Sequence, residues 1–279
     1  MTESRVSEVA VRKHIRELRG VDDVSLALHV WEPDGIASVG VIFYIHGIQS
    51  HAGWLHETGP LLAGHGITVV ALDRRGSGES GGARGDLISA DAVFDDYRAA
   101  FAQASLWGPT LAVGQSFGGS ILAGLVASDL IVPDGVVFCA PALGQQRFRH
   151  ANSLPEIRAN RSVERILLGF TDDQYTTDDE YLRWMANDPL MIRSITGRTR
   201  ATMVEIEDTY FSPGVHLPDS ILIQPRADTI IDSGAAANVL GRVARSVRRL
   251  ELPTGSHYIE FSPSRDEYIK ILVDAAGRG

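Results

Sequence analysis

A serine flanked by glycines stands where the chain passes from an apolar run into a helical pattern. Gly114-Gln115-Ser116-Phe117-Gly118 follows TLAVG (110–114) directly and leads into the apolar segment 117–128. The pattern is weak by itself, but strand–turn–helix is the setting in which a nucleophilic serine is held exposed on a sharp, strained turn. Such a turn needs neighbours without side chains, so that strand and helix can approach closely. The helix starting there also points the positive end of its dipole at the serine oxygen. A serine in an ordinary glycine-rich helix start would explain the glycines but not their position.

Serine at its ordinary pKa is a weak nucleophile and requires a base oriented by a third group. In strand–turn–helix serine sites the chain order is serine, acid, histidine. Asp228 follows the run SILIQP (220–225), and His257 lies just beyond VRRLELP (247–253). Of nine histidines, His257 alone is both late in the chain and just past a strand. Asp232 and Asp219 are the competing carboxylates. Acyl transfer also builds negative charge on a carbonyl oxygen, which two backbone N–H groups must face. The N–H of Phe117, directly after the serine, and that of Ile48, after His46-Gly47, are the candidate donors. His46 then has a structural role, positioning its turn.

Two other motifs point to different chemistry. Gly76, Gly78 and Gly81 spell G-x-G-x-x-G after ITVVALD (67–73). A dinucleotide fingerprint must open a helix at once and meet an acidic residue ending a second strand. Here more glycines follow, and Asp95 and Asp96 fall inside a helical pattern. His46, His51 and His56 are spaced five apart, which puts no two on one helical face, and no H-E-x-x-H occurs. Neither a cofactor nor a metal is expected.

The elements that must position these residues are legible as periodicity. β-branched runs occur at 24–33, 39–47, 67–73, 110–114, 135–142, 220–225 and 247–253; most of the later ones are continuously apolar, as in a parallel sheet covered on both faces. Between them, Val93, Tyr97, Ala100, Phe101 and Ala104 form a helical stripe within 91–105. Segment 233–245 begins at Ser233, a candidate N-cap, and the last helix opens with a capping-box pair, Ser264 and Glu267. The alternation predicts an α/β fold, a mostly parallel sheet flanked by helices. The runs at 24–33 and 39–47 are joined too closely for a crossover helix and predict an antiparallel start. Residues 143–218 are too many for one crossover. They are read as an inserted helical cap over the carboxyl edge of the sheet, with 1–142 and 219–279 as the core. Ordinary extra core helices are the alternative.

Composition narrows the partners. The 279 residues carry a net charge of −9 with no basic block, which speaks against nucleic acid. The single cysteine, Cys139, allows no intramolecular disulfide. The charged leading stretch has no apolar core of a signal peptide, and no run is long enough for a transmembrane segment. A cytoplasmic location is expected.

These residues together resemble the α/β-hydrolases of the monoacylglycerol lipase and lysophospholipase-like branch. The similarity runs through nearly everything after residue 35: His46-Gly47 with His51, Asp73-Arg74-Arg75-Gly76-Ser77-Gly78-Glu79-Ser80-Gly81, Arg84, the glycine-flanked serine, Asn187-Asp188-Pro189-Leu190, Asp228 and His257. The resemblance implies an α/β-hydrolase fold, a triad of Ser116, Asp228 and His257, an oxyanion hole from Ile48 and Phe117, and a helical lid over an acyl pocket. Gln115 and Phe117 stand where the family usually has His and Met, and Ser77 replaces a usual histidine. The implied activity is hydrolysis of a carboxylic ester with an apolar acyl group through an acyl-enzyme on Ser116. A thioesterase or acyltransferase would use the same triad on a polyketide or fatty acyl chain. A ligand-binding protein that retained the pocket could dispense with the triad. The expected partner is therefore a small-molecule acyl ester or thioester.

Overall fold

A computed structural model of the chain describes residues 10–277. The ends of the expected core segments, 1–9 and 278–279, and the start of the charged leading stretch lie outside the described residues.

The chain opens with β1 (Val11–Arg19), β2 (Ser25–Pro33) and β3 (Gly40–Ile45), then α1 (Thr58–Gly64) and β4 (Ile67–Leu72). There follow α2 (Ala90–Ala104), β5 (Thr110–Gln115), α3 (Phe117–Ala127) and β6 (Gly135–Cys139). A helical stretch comes next: α4 (Gln145–Arg149), α5 (Leu154–Ala159), β7 (Arg165–Leu167), α6 (Asp172–Tyr175), α7 (Asp179–Ala186), β8 (Ser194–Thr196) and α8 (Gly197–Phe211). The chain then returns to the sheet with β9 (Ser220–Pro225), α9 (Ser233–Val243), β10 (Val247–Leu252) and α10 (Arg265–Ala276).

Eight strands form one sheet in the order β1-β2-β4-β3-β5-β6-β9-β10. β1 and β2 run antiparallel, and the pairs from β4 to β10 are parallel. Strands β3, β4 and β5 are buried along their whole length, which explains their continuous apolar sequence. Successive side chains go to opposite faces. Val41, Phe43 and Ile45 pack with residues of α2, α3, α8 and α9, whereas Ile42 and Tyr44 pack with α1 and α10. Each buried aliphatic side chain contributes about 1.5–3 kcal/mol, so this two-sided sandwich is the main source of stability.

The structure departs from the sequence reading at several places. β1 was not foreseen, because none of its residues is fully buried and Lys13, Arg16 and Glu17 interrupt any apolar run. β2 and β3 do run in opposite directions, but they do not pair: β2 bonds to β4, and β3 lies between β4 and β5. The N-cap of α9 is Asp232, whose carboxylate accepts from Ala235 N–H at 2.8 Å, and Ser233 is the first helical residue. Ser264 does precede α10, yet it makes no side-chain cap and no capping box forms. β7 and β8 form a small antiparallel pair that no periodicity announced. Because β6 and β9 are neighbours in the sheet, everything from α4 to α8 is inserted between adjacent strands. Within that insertion α8 lies against α3, with Tyr210 hydroxyl 3.1 Å from Ser120 Oγ.

Candidate active site

The sheet order reverses around β3, with β4 on one side and β5 on the other. A crevice opens at the carboxyl ends of the strands at such a point, and ligands of open α/β sheets bind there. Ile45 of β3 lies opposite Gly114 of β5, so the loop carrying Ile48 and the turn carrying Ser116 leave the sheet side by side. Ser116 has φ +53° and ψ −121°, a conformation costing about 1–3 kcal/mol for a residue with a side chain. Three hydrogen bonds hold it there: its N–H donates to Cys139 O at 3.0 Å, and its carbonyl accepts from Gly119 and Ala142 at 2.9 and 2.8 Å. The turn also depends on Gly118, where a methyl group would overlap the carbonyl oxygen of Ile45.

Asp228 and His257 leave the ends of the neighbouring parallel strands β9 and β10, in which Pro225 lies opposite Leu252. His257 Nδ1 is 2.7 Å from Asp228 Oδ2, with both side chains fully buried. Asp228 Oδ1 accepts from the N–H groups of Ile230 and Ile231 at 2.8 and 2.9 Å. Burial pushes this carboxyl up, but the imidazole and the donated hydrogen bonds outweigh it and hold its pKa below the usual value. The competing carboxylates are occupied elsewhere: Asp232 caps α9, and Asp219 pairs with Arg245 at the surface. Asp228 is thus the carboxylate that reaches His257.

The other side of the imidazole is not joined to the serine. His257 forms no hydrogen bond with Ser116; its Nε2 lies 3.5 Å from the amide nitrogen of Gln115. Gln115 is buried, and its Oε1 has no partner. The structure therefore joins two of the three expected residues directly and puts Ser116 one residue away from the group facing the third. Sequence reasoning noted Gln115 only as a departure from the family pattern and missed this contact.

The Ile48 loop is held by groups the sequence reading left unassigned. His46 Nε2 accepts from the N–H of Arg74 at 3.1 Å, which leaves its Nδ1 to donate to Gly47 O at 2.8 Å. Burial first, then the charge of Arg74, keeps the His46 pKa well below its ordinary value, so the ring serves as a neutral structural bridge. The Arg74 guanidinium donates to the carbonyls of Gly47 and Ile48 at 3.1 and 3.0 Å. With those carbonyls drawn toward Arg74, the Ile48 and Phe117 N–H groups are engaged by no acceptor among the described residues, and both residues line the same cavity as Ser116. The glycine-rich loop after β4 wraps a different carboxylate: Asp73 accepts from Ala52 and Glu79 N–H at 2.6 and 2.7 Å and from His29 at 3.0 Å. A methyl on Gly78 would overlap that carboxylate.

The cavity beside Ser116 has a volume of about 370 Å³. Ile48, Ser116 and Phe117 line it at the sheet edge, and Ile166 of β7, Leu168 and Phe170 of the following loop and Met203 of α8 roof it from the inserted segment. The roof is tied down by specific bonds. Gln49 donates to Ile192 O at 2.7 Å and accepts from the Tyr175 hydroxyl. Asp188 receives His51 Nε2 at 3.0 Å and Trp54 Nε1 at 2.8 Å. His51 and Asp188 were noted in the sequence, but nothing in their spacing announced that they meet. His56 stacks on Trp184, so the three spaced histidines end in three separate environments. On the cavity wall Glu207 accepts from the N–H groups of Gln146 and Arg147, and burial pushes its carboxyl up to about 7.

A family model described as serine aminopeptidase, S33 matches residues 37–263. Over 106 residues the chain is 37% identical to a monoacylglycerol lipase of Mycolicibacterium smegmatis, a stretch covering 37% of this chain and 38% of the relative. The chain thus spans less than two-fifths of the length of that curated relative. Two solved structures share its fold: a soluble variant of monoglyceride lipase from Saccharomyces cerevisiae in complex with a substrate analogue, and a monoacylglycerol lipase from Paleococcus ferrophilus. The first has a TM-score of 0.78 at 15% identity, over 98% of this chain and 96% of the other. The second has 0.72 at 21% identity, over 90% and 97%. No helix among the described residues is long and apolar enough to cross a membrane. The family match extends from just before β3 to beyond the loop of residue 257, taking in the strained turn, the inserted helices and the late acid and imidazole; the chain belongs to the serine aminopeptidase S33 family of α/β-hydrolases.

Proposed function

We propose that the protein is a serine hydrolase that cleaves a carboxylic ester with an apolar acyl group, using Ser116, His257 and Asp228. The observation that carries this reading is the 2.7 Å bond between His257 Nδ1 and Asp228 Oδ2. It fixes the tautomer: with Nδ1 protonated toward the carboxylate, Nε2 keeps a lone pair that can accept the Ser116 proton. The hydroxyl-to-imidazole bond closes in the substrate complex, as such bonds commonly lengthen in free enzymes. Ser116 Oγ attacks the ester carbonyl as its proton passes to Nε2. The tetrahedral oxyanion is held by the free N–H groups of Ile48 and Phe117, backed by the dipole of α3. His257 then returns the proton to the leaving alcohol, and water repeats the sequence on the acyl-enzyme. Residues 143–218 act as the cap, closing an apolar pocket. At about 370 Å³ that pocket falls near the small end of the range for ligand sites and fits a short or medium acyl group.

The test is turnover of p-nitrophenyl and glycerol esters of graded chain length, beside thioesters of the same acyl groups. Ester turnover abolished by Ser116→Ala supports the reading. Thioesters cleaved far faster than matched esters would move the assignment to a thioesterase. Turnover that survives Ser116→Ala would overturn it.

A further inference from the structure

The cavity beside Ser116 is apolar for much of its wall, yet three basic side chains line it: Arg149, His150 and Arg200. A pocket made only for a hydrocarbon chain gains nothing from them, because a guanidinium turned toward an alkyl group loses hydration without compensation. The three do not serve as structural cations either. Arg200 forms no hydrogen bond or ion pair with any described residue, and it is half-buried. Its pKa is lowered by burial. Arg149, an exposed residue, is bonded only to the carbonyl oxygen of Ile230, which leaves its charge unpaired by any carboxylate among the described residues. His150 lies close enough to both arginines for their charges, after burial, to lower its pKa, so at neutral pH it adds a neutral donor. The neighbouring arginines Arg147 and Arg158 instead share Asp208, and Arg161 pairs with Glu205.

One carboxylate faces the same space. Glu207 accepts two backbone N–H groups, and its pKa near 7 leaves it only partly charged at neutral pH. Two permanent cations outweigh it, so the wall remains positive. Of the two, Arg200 is half-buried and Arg149 exposed, so the charge of Arg200 is the less screened.

From this juxtaposition we infer that the pocket holds a substrate with an apolar middle and an anionic end, a carboxylate or a phosphate, received by Arg149 and Arg200 with His150 as an added donor. The inference deepens the ester hydrolase reading and rests on it for the position of the scissile bond. Planar guanidinium forks suit both anions, so the geometry names the charge class and leaves open which side of the ester bears it.

The test compares matched pairs. On the acyl side, p-nitrophenyl octanoate is set against the same ester with an ω-carboxylate. On the alcohol side, a monoacylglycerol is set against the corresponding lysophosphatidate. The expected result is a kcat/KM ratio favouring the anionic member of one pair by at least about tenfold, with the preferred pair identifying the side. The ratio should fall toward one in Arg149→Gln/Arg200→Gln and be partly kept in Arg149→Lys/Arg200→Lys, both checked for folding by thermal melting. A ratio near one in the unmutated protein, or one that survives the glutamine substitutions, overturns the inference. Binding of hexyl phosphate against hexanol to Ser116→Ala, followed by calorimetry, separates the two claims. Arginine-dependent preference for the phosphate without any ester turnover would keep the anion site and sink the hydrolase reading, and no preference there or in turnover would sink the anion site.

Discussion

Gln115 and His257 face each other across the carboxyl ends of the strands: the amide nitrogen of Gln115 lies 3.5 Å from Nε2, while Nδ1 of the same ring is 2.7 Å from Asp228. The imidazole is thus held at Nδ1 by a carboxylate, while its Nε2 looks toward a side-chain amide whose oxygen is buried without a partner among the described residues. An unsatisfied buried acceptor costs about 1–3 kcal/mol. Gln115→Met, which fills similar space without polar atoms, should raise stability by about 1 kcal/mol or leave it level. Urea denaturation checks this; a loss above 1 kcal/mol would mean that the amide does structural work this geometry does not reveal.

Asp228 and its neighbours separate orientation from capping. Asp228→Asn should lower kcat by roughly 10⁴-fold, because the amide no longer selects the tautomer with Nδ1 protonated. Asp232→Ala should instead remove the N-cap of α9, costing about 1 kcal/mol of stability with turnover retained. Steady-state kinetics beside thermal melts distinguish the two. Equal catalytic losses from both substitutions would contradict the assigned roles.

Gly118 bears on the turn itself. A methyl group there meets the carbonyl oxygen of Ile45, which belongs to the buried central strand and cannot withdraw. Gly118→Ala should destabilise the protein by about 1–3 kcal/mol and lower turnover, by shifting the residue-117 amide away from the oxyanion. A variant with ordinary melting behaviour and full activity would show that the turn is less tightly packed than described.

Glu207 predicts a pH dependence of stability. Its carboxyl titrates near 7 in the folded protein against an ordinary value of 4.5. Between those values the folded state binds more protons than the unfolded state, so stability falls as pH rises from about 4.5 to 7 and levels off above it. For this side chain alone the loss is at most about 3 kcal/mol. Relative to Glu207→Gln, which cannot titrate there, the unmutated protein should lose stability steadily over that interval, as read from denaturation midpoints at several pH values. Parallel curves for the two proteins would refute it.

The order of Ser116, Asp228 and His257 along the chain was readable in the sequence because each residue follows a strand. TLAVG, SILIQP and VRRLELP are apolar enough to be recognised as sheet, and in a parallel sheet their carboxyl ends share one edge. That logic placed Ser116, Asp228, His257 and Ile48 on the same rim. It favoured Asp228 over Asp219, which precedes the strand, but left Asp232 as a competitor one short turn further; the loop after β9 brings Asp228 to His257. Nor could it foresee β1, whose alternation is diluted by charged residues on exposed positions. The contacts of Gln115, Arg74 and Asp188 join residues far apart in the chain, and no local period encodes them. The basic group at Arg149, His150 and Arg200 was hidden for a related reason, since Arg200 reaches the cavity from α8, a helix lying partly in the core.

The most direct test of Ser116 as nucleophile is covalent trapping. Purified protein incubated with an alkyl fluorophosphonate should gain one adduct by intact-mass spectrometry, mapped by peptide analysis to Ser116. His257→Ala should slow its formation by orders of magnitude, and Ser116→Ala should abolish it. Stoichiometric labelling of a different residue, or no labelling of the folded unmutated protein, would contradict the account.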